Sequence, residues 1–259
     1  MKLLKWPLRL IYGAWCWLIF LACALVALNV MLVMPGLERR RWIARFTARA
    51  VFAAWGVKLK VSGTDRLPAE RCIVVANHAS YLDGLVLSAA LPPRFAFVIK
   101  KEMDRVPLAS LLLRRIGSEF VDRHNRHKGA MDARRVLRTA SNGQSLVFFP
   151  EGTFSTQPGL LRFHTGAFAT AVRAGCTLFP VVIRGTRTVL SSRAIIPTPA
   201  SIMIDVLATL EPQPGNPEAA AQLRDTARRI MLAHLGEPDL DVATQSPPLE
   251  MKPSRHAAG

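Results

Sequence analysis

A histidine and a carboxylate stand five residues apart in Asn77-His78-Ala79-Ser80-Tyr81-Leu82-Asp83, directly after the apolar run Ile73-Val74-Val75-Ala76. The run reads as a buried strand and the residues from Leu82 onward as a helix. The pair therefore falls at a strand-to-helix junction, where a rigid scaffold presents functional groups. A carboxylate accepting from one imidazole nitrogen fixes the tautomer and leaves the other nitrogen as a base. In isolation such a pair is more often a surface contact. A second segment, Phe149-Pro150-Glu151-Gly152-Thr153, adds weight by placing another acid just after a second apolar run.

Short apolar runs and helical patterns alternate around these segments. The runs 57–61, 72–76, 95–99, 118–121, 146–149, 179–183 and 202–207 predict strands, and 82–91, 108–116, 128–139 and 163–174 predict helices. The alternation predicts an α/β fold with a mainly parallel sheet flanked by helices. Ligands of such sheets bind beyond the carboxyl ends of the strands, so residues following two different strands can share one crevice.

The 259 residues suit one catalytic domain with appendages, and their mean hydropathy is above zero. Between Leu10 and Leu37 no residue is charged. As a helix this run reaches about 40 Å, against a hydrocarbon core of roughly 30 Å. Residues 1–37 are therefore expected to form an N-terminal hydrophobic membrane helix. A cleaved signal peptide is the competing reading, but its apolar core spans only about 7–15 residues. Residues 38–56 predict a basic amphipathic helix: Arg41, Arg45 and Arg49 repeat at four-residue spacing beside a stripe with Trp42 and Phe46. That pattern suits a helix lying on an anionic membrane surface, the alternative being a core-facing helix with a solvated arginine edge. Residues 57–235 are assigned to the catalytic domain and 236–259 to a disordered tail.

The formal charge of +16 comes with no nucleic-acid-binding module and only two tyrosines, so nucleic acid is not the expected partner. Anionic headgroups, an acidic carrier protein or a phosphorylated substrate account for the charge. Four cysteines without CxxC spacing fit a reducing compartment. There is no GxSxG elbow, P-loop or dinucleotide fingerprint. His124 and His127 have a metal-like spacing, but they lie in a polar, basic stretch without a ligand set and read as a solvated loop. No metal or bound cofactor is expected.

The two opening segments, in this order and separation, resemble the NHxxxxD and FPEGT blocks of the glycerolipid acyltransferase family, in particular its lysophosphatidic acid acyltransferases. Gly117-Ser118-Glu119-Phe120-Val121-Asp122-Arg123 and Phe179-Pro180-Val181-Val182-Ile183 resemble two further blocks, so the resemblance covers roughly residues 55–210. It implies a membrane-bound enzyme that moves a fatty acyl chain from an acyl-CoA or acyl-ACP thioester to the free hydroxyl of 1-acylglycerol 3-phosphate. His78 is implied as general base and Asp83 as its support. Glu151, Gly152 and Thr153 are implied to bind the acceptor, with Gly152 allowing close backbone approach, and Arg123 to bind its phosphate. The implied partners are membrane phospholipid, a lyso-phospholipid acceptor and the thioester donor. The implied location is the inner membrane, and arginines just after the apolar run favour a cytoplasmic catalytic domain.

Two positions depart from the family pattern. Phe154 stands where an arginine often follows Gly-Thr, and His164 where a lysine often follows Phe163. Arg162, Arg184 and Arg187 are candidates to compensate. The departures keep open a different lyso-lipid acceptor, such as a lyso-aminolipid. A non-catalytic lipid-binding relative is a third reading, set against the intact His78, Asp83 and Glu151.

Overall fold

The computed structural model describes residues 2–122, 126–213 and 216–241. Helices α1 (Lys2–Val33) and α2 (Leu37–Ala54) come first, followed by β1 (Lys58–Ser62), β2 (Ile73–Ala76), α3 (Asp83–Ala90), β3 (Phe95–Lys100), α4 (Pro107–Arg115) and β4 (Glu119–Val121). After these come α5 (Arg126–Ser141), β5 (Ser145–Phe148), α6 (Gly166–Ala174), β6 (Leu178–Arg184), α7 (Thr186–Val189), β7 (Ser201–Val206) and α8 (Ala219–Leu235).

The strands form one seven-stranded sheet in the order β1-β7-β6-β2-β5-β3-β4. The five strands from β6 to β4 run parallel. The β6–β7 junction is antiparallel and β1 lies parallel to β7, so the outermost pair is reversed. The mainly parallel α/β architecture expected from the alternation is present.

Both faces of the central strands β2, β5 and β6 are covered, which is why these read as largely apolar runs. Every residue of β2 is buried. Val74 and Ala76 pack toward α2 and α3, while Ile73 and Val75 pack toward α5, α6 and α8. Helix α8, absent from the predicted elements, presents Ala219, Leu223, Ala227, Met231 and Leu235 to that second face at strict four-residue spacing.

α1 and α2 make an antiparallel hairpin. Tyr12 Oη donates to Trp55 O (2.7 Å) and Trp55 Nε1 to Cys16 O (2.9 Å), while Ala27 and Met31 near the other end pack with Ile43 and Ala44. The span Trp6–Val33 is long and apolar enough to cross a membrane by length and composition. One side of it packs against α2 and the α/β layer, and the other exposes Leu10, Ile11, Leu18, Leu21, Leu25 and Val26.

The structure corrects two expectations. The arginine stripe of α2 is not a solvated edge: it runs from a buried Arg41 through a half-buried Arg45 to an exposed Arg49, and all three engage main-chain carbonyls. Arg41 is buried and donates to Ile116 O (2.9 Å), Arg94 O (2.7 Å) and Gln144 Oε1 (3.0 Å), and Arg45 and Arg49 donate to Ala89 O. Trp42 and Phe46, 53% and 71% exposed, face out instead. The reason is that α2 lies against the carboxyl ends of α3 and α4, whose last carbonyls lack intrahelical partners and attract cations.

The second correction concerns 236–259, since residues 236–241 form an ordered strap. Leu160 N donates to Pro238 O (2.9 Å) and Leu240 N to Leu160 O (3.0 Å). The strap passes so close to Gly159 (φ 142°) that a Cβ there would collide with Leu240.

Candidate active site

β2 and β5 are adjacent and parallel, so the segments leaving their carboxyl ends meet. After β2 the chain turns through residues 77–82 into α3, whose first residue is Asp83. Asp83 is wholly buried. Its Oδ2 accepts from His78 Nδ1 (2.8 Å) and from the backbone N–H groups of Ala79 (2.6 Å) and Ser80 (2.8 Å). These bonds explain the five-residue spacing, because the loop must fold back on the first helical residue. An Nδ1–H donated to a carboxylate leaves Nε2 as the unprotonated nitrogen. Asp83 Oδ1 is buried and has no partner among the described residues.

The imidazole is held on two further sides. It stacks on Phe149 (centroids 4.3 Å apart, planes 23°) and meets Phe154 edge-on (4.6 Å, 67°). Tyr81, largely exposed, packs edge-on against Phe154 (4.8 Å). Only 16% of the His78 side chain is exposed. In the sequence Phe154 reads as a missing cation. Its place as one wall of the histidine pocket follows from the turn at residues 149–152, which the sequence does not specify.

Glu151 ties the two segments together. Its Oε1 accepts the backbone N–H of His78 (2.6 Å) and its Oε2 that of Leu161 (2.9 Å). The side chain is buried, and that burial pushes its pKa up to about 8. The two amide hydrogen bonds pull the other way, as does the charge of Arg187, while the nearby Asp83 adds to the rise. Gly152 sits in a turn closed by its N–H to Phe149 O (3.0 Å), with φ 72°, a backbone conformation that glycine adopts without penalty. Thr153 is exposed beside it.

Asn77 and Ser80, read in the sequence as turn formers, also brace the site laterally. Asn77 Nδ2 donates to Ile183 O (2.9 Å) and its Oδ1 accepts from Ile183 N (2.7 Å), while Ser80 Oγ donates to Leu190 O (2.6 Å). The structure thus brings together His78, Asp83, Glu151, Gly152 and Thr153. Arg123, the expected phosphate ligand, lies outside the described residues, as do His124 and the side chain of His127. No cluster of three metal-ligating side chains occurs among the described residues. Of the three arginines considered as substitutes, Arg162 is exposed toward α8, and Arg184 pairs with Asp205. Arg187 pairs with Glu237 of the strap (3.0 Å).

A buried carboxylate orients one histidine whose ring is backed by an apolar wall, an arrangement of the kind that general-base chemistry uses. Residues 58–184 match the family model described as Acyltransferase. The chain is 32% identical over 148 residues to a 1-acyl-sn-glycerol-3-phosphate acyltransferase of Haemophilus influenzae, covering 56% of this chain and 60% of that protein. It is 34% identical over 148 residues to a lyso-ornithine lipid O-acyltransferase of Pseudomonas aeruginosa, covering 56% of this chain and 52% of that one. The chain thus spans about half to three fifths of the length of these curated relatives. In fold it is similar to the crystal structure of the 1-acyl-sn-glycerophosphate acyltransferase PlsC of Thermotoga maritima. There the TM-score is 0.73 at 22% identity, over 88% of this chain and 96% of that one.

Proposed function

We propose that the protein, whose residues 58–184 match the acyltransferase family model, is an O-acyltransferase moving a fatty acyl chain from an acyl-CoA or acyl-ACP thioester to the free hydroxyl of 1-acylglycerol 3-phosphate. The single observation that carries this reading is the His78 Nδ1···Asp83 Oδ2 contact of 2.8 Å at the carboxyl end of β2. Nε2 takes the proton of the acceptor hydroxyl as its oxygen attacks the thioester carbonyl. Collapse of the tetrahedral intermediate expels the thiolate, which recovers the proton from Nε2–H. Asp83 holds the ring orientation and stabilises the imidazolium that forms between the two steps. Gly152 and Thr153 line the acceptor side. Glu151 has both oxygens on backbone amides, so its first task is to fix the His78 main chain.

The exposed apolar face of α1, continued by Trp42 and Phe46, supports a membrane-bound enzyme working at the bilayer where its acceptor resides. The cytoplasmic side of the inner membrane is the side on which both thioester donors are available.

A second acceptor is favoured by one observation. Phe154 packs on His78 and brings no cation to the headgroup, and lyso-ornithine lipid O-acyltransferases are among the similar proteins. The test is acyl transfer by purified protein over a panel of lyso-lipids and both donors, with His78→Ala alongside. Wild type is expected to turn over at least one pair, and His78→Ala to lose roughly 10²–10⁴-fold. Wild-type turnover no faster than His78→Ala for every pair would overturn the enzymatic reading in favour of a lipid-binding protein. Preference for a phosphate-free acceptor would replace the first substrate with the second.

A further inference from the structure

β6 lies beside β2 in parallel register, so the chain leaving β6 emerges next to the His78 loop. The Asn77–Ile183 and Ser80–Leu190 hydrogen bonds pin that segment on either side of Arg184 and Arg187. The two arginines are used differently. Arg184 commits both terminal nitrogens to protein oxygens, one to Asp205 and one to His234 O. Arg187 donates through Nη1 alone, to both carboxylate oxygens of Glu237 (3.0 and 3.1 Å). Among the described residues no protein acceptor serves its Nη2, and its Nε is buried without a partner. Its charge is felt at Glu151, the residue that holds the His78 backbone.

A buried N–H of a charged group without an acceptor is costly and calls for a partner. The Nε–Nη2 edge of a guanidinium is the one that grips an oxyanion through two parallel hydrogen bonds. Other arginines with an unpartnered Nε do not offer this edge at the site. Arg94 has both terminal nitrogens on main-chain oxygens, and Arg40 reaches Arg115 O at the opposite end of the sheet. Glu237 occupies only the Nη1 side of the Arg187 guanidinium and makes no contact with the Nε–Nη2 edge.

We propose that the Nε–Nη2 edge of Arg187 receives the oxyanion of the acceptor's headgroup, making Arg187 a specificity-determining residue of the acyl transfer inferred above. A phosphate monoester, as in 1-acylglycerol 3-phosphate, and the carboxylate of an amino-acid lyso-lipid share the required pair of oxygens. The assignment places a cation in the acceptor crevice where Phe154 supplies none.

The test compares wild type, Arg187→Met and Glu237→Gln, as full chains in detergent, with 1-acylglycerol 3-phosphate, lyso-ornithine lipid and uncharged 1-acylglycerol. Arg187→Met is expected to raise KM for an anionic acceptor about 10- to 100-fold with kcat changed by less than about threefold. With uncharged 1-acylglycerol, KM should stay unchanged. Glu237→Gln disturbs the same ion pair but leaves the free edge intact, so it should not raise KM. A rise confined to one anionic acceptor identifies phosphate or carboxylate as the source. Unchanged KM for both anionic acceptors, or an equal rise with 1-acylglycerol or in Glu237→Gln, would overturn the proposal.

Calorimetric binding of 1-hexanoylglycerol 3-phosphate and of N-hexanoylornithine separates this proposal from the enzymatic reading. Binding that weakens at least about tenfold in Arg187→Met, without wild-type turnover, keeps the anion site and rejects the acyltransferase. Turnover with binding indifferent to Arg187 does the reverse, and absence of both rejects both.

Discussion

At the amino ends of the parallel strands, Arg41, Arg71 and Arg94 point their guanidinium groups at main-chain carbonyls, whereas at the carboxyl ends Asp83 and Glu151 gather main-chain amides. Arg71 reaches Ser141 O and Ala174 O, the last residues of α5 and α6, and Arg41 reaches Ile116 O just past α4. Each β-to-α connection sends helix carboxyl ends, with their unpaired carbonyls, to one edge of the sheet and helix amino ends to the other. Cations therefore settle at the first edge and acids at the second. A cavity of about 280 Å³ lined by Arg41, Arg71 and Arg94 opens at the amino edge, yet these groups are already engaged. At the carboxyl edge the Nε of Arg187 has no partner among the described residues, and His78 engages Asp83 through Nδ1 alone. Part of the net charge of +16 thus serves the layered α/β fold and does not measure affinity for anionic partners.

The largest effect expected from breaking this contrast is at Asp83. Replacing it with Asn keeps the shape but removes the charge that orients His78 and stabilises its imidazolium. Turnover should fall roughly 10²–10⁴-fold at a saturating acceptor concentration, measured as kcat. Turnover within about threefold of wild type would show that the carboxyl edge works without its buried acid. Arg41→Met is the matching change at the amino edge. It leaves Ile116 O, Arg94 O and Gln144 Oε1 without their donor, and should lower unfolding stability by about 2–4 kcal/mol in a urea titration. Acceptor KM for the folded protein should stay at the wild-type value. A raised KM in Arg41→Met would place headgroup binding at the amino edge and break the comparison.

The contrast also marks where the sequence could be read. All seven strands agree with the sequence reading to within about one residue; β2, β5 and β6 are legible because doubly buried parallel strands are continuous apolar runs, and β7 because its apolar residues alternate. The His78–Asp83 contact was legible for a similar reason: the loop is short, so spacing fixes geometry. The orientation of α2 was not. Its arginine and aromatic stripes have the same period, and which one turns inward depends on the carbonyls of α3 and α4, contributed by residues about 40–75 positions away. α8 carries a strict four-residue apolar stripe, but two of its five residues are alanines and arginines stand directly beside it in the sequence. The strap and the Arg187–Glu237 pair depend on a contact between residues 50 positions apart, for which the chain has no periodic signal.

Glu151 sharpens the comparison with the smallest expected effect, because it is the carboxyl-edge counterpart of Arg41: a buried acid that accepts from two amides, against a buried base that donates to carbonyls. They differ in how they titrate. Burial lowers Arg41 only to about 10, so it stays charged across neutral pH, whereas burial raises Glu151 to about 8. A folded-state pKa above the unfolded value of about 4.3 means that the native state binds more protons between these limits. The stability that Glu151 contributes is then fully present below the unfolded pKa and is lost as pH rises through about 8. Glu151→Gln cannot titrate, so the Tm difference between wild type and Glu151→Gln isolates this contribution from the other carboxylates. That difference should move against the wild type as pH rises from about 5 to 8.5, by a few degrees. The Arg41→Met difference should stay flat over the same range. A Glu151→Gln difference that is also flat would mean that its two amide hydrogen bonds outweigh burial, leaving the acid ionised beside Asp83 throughout.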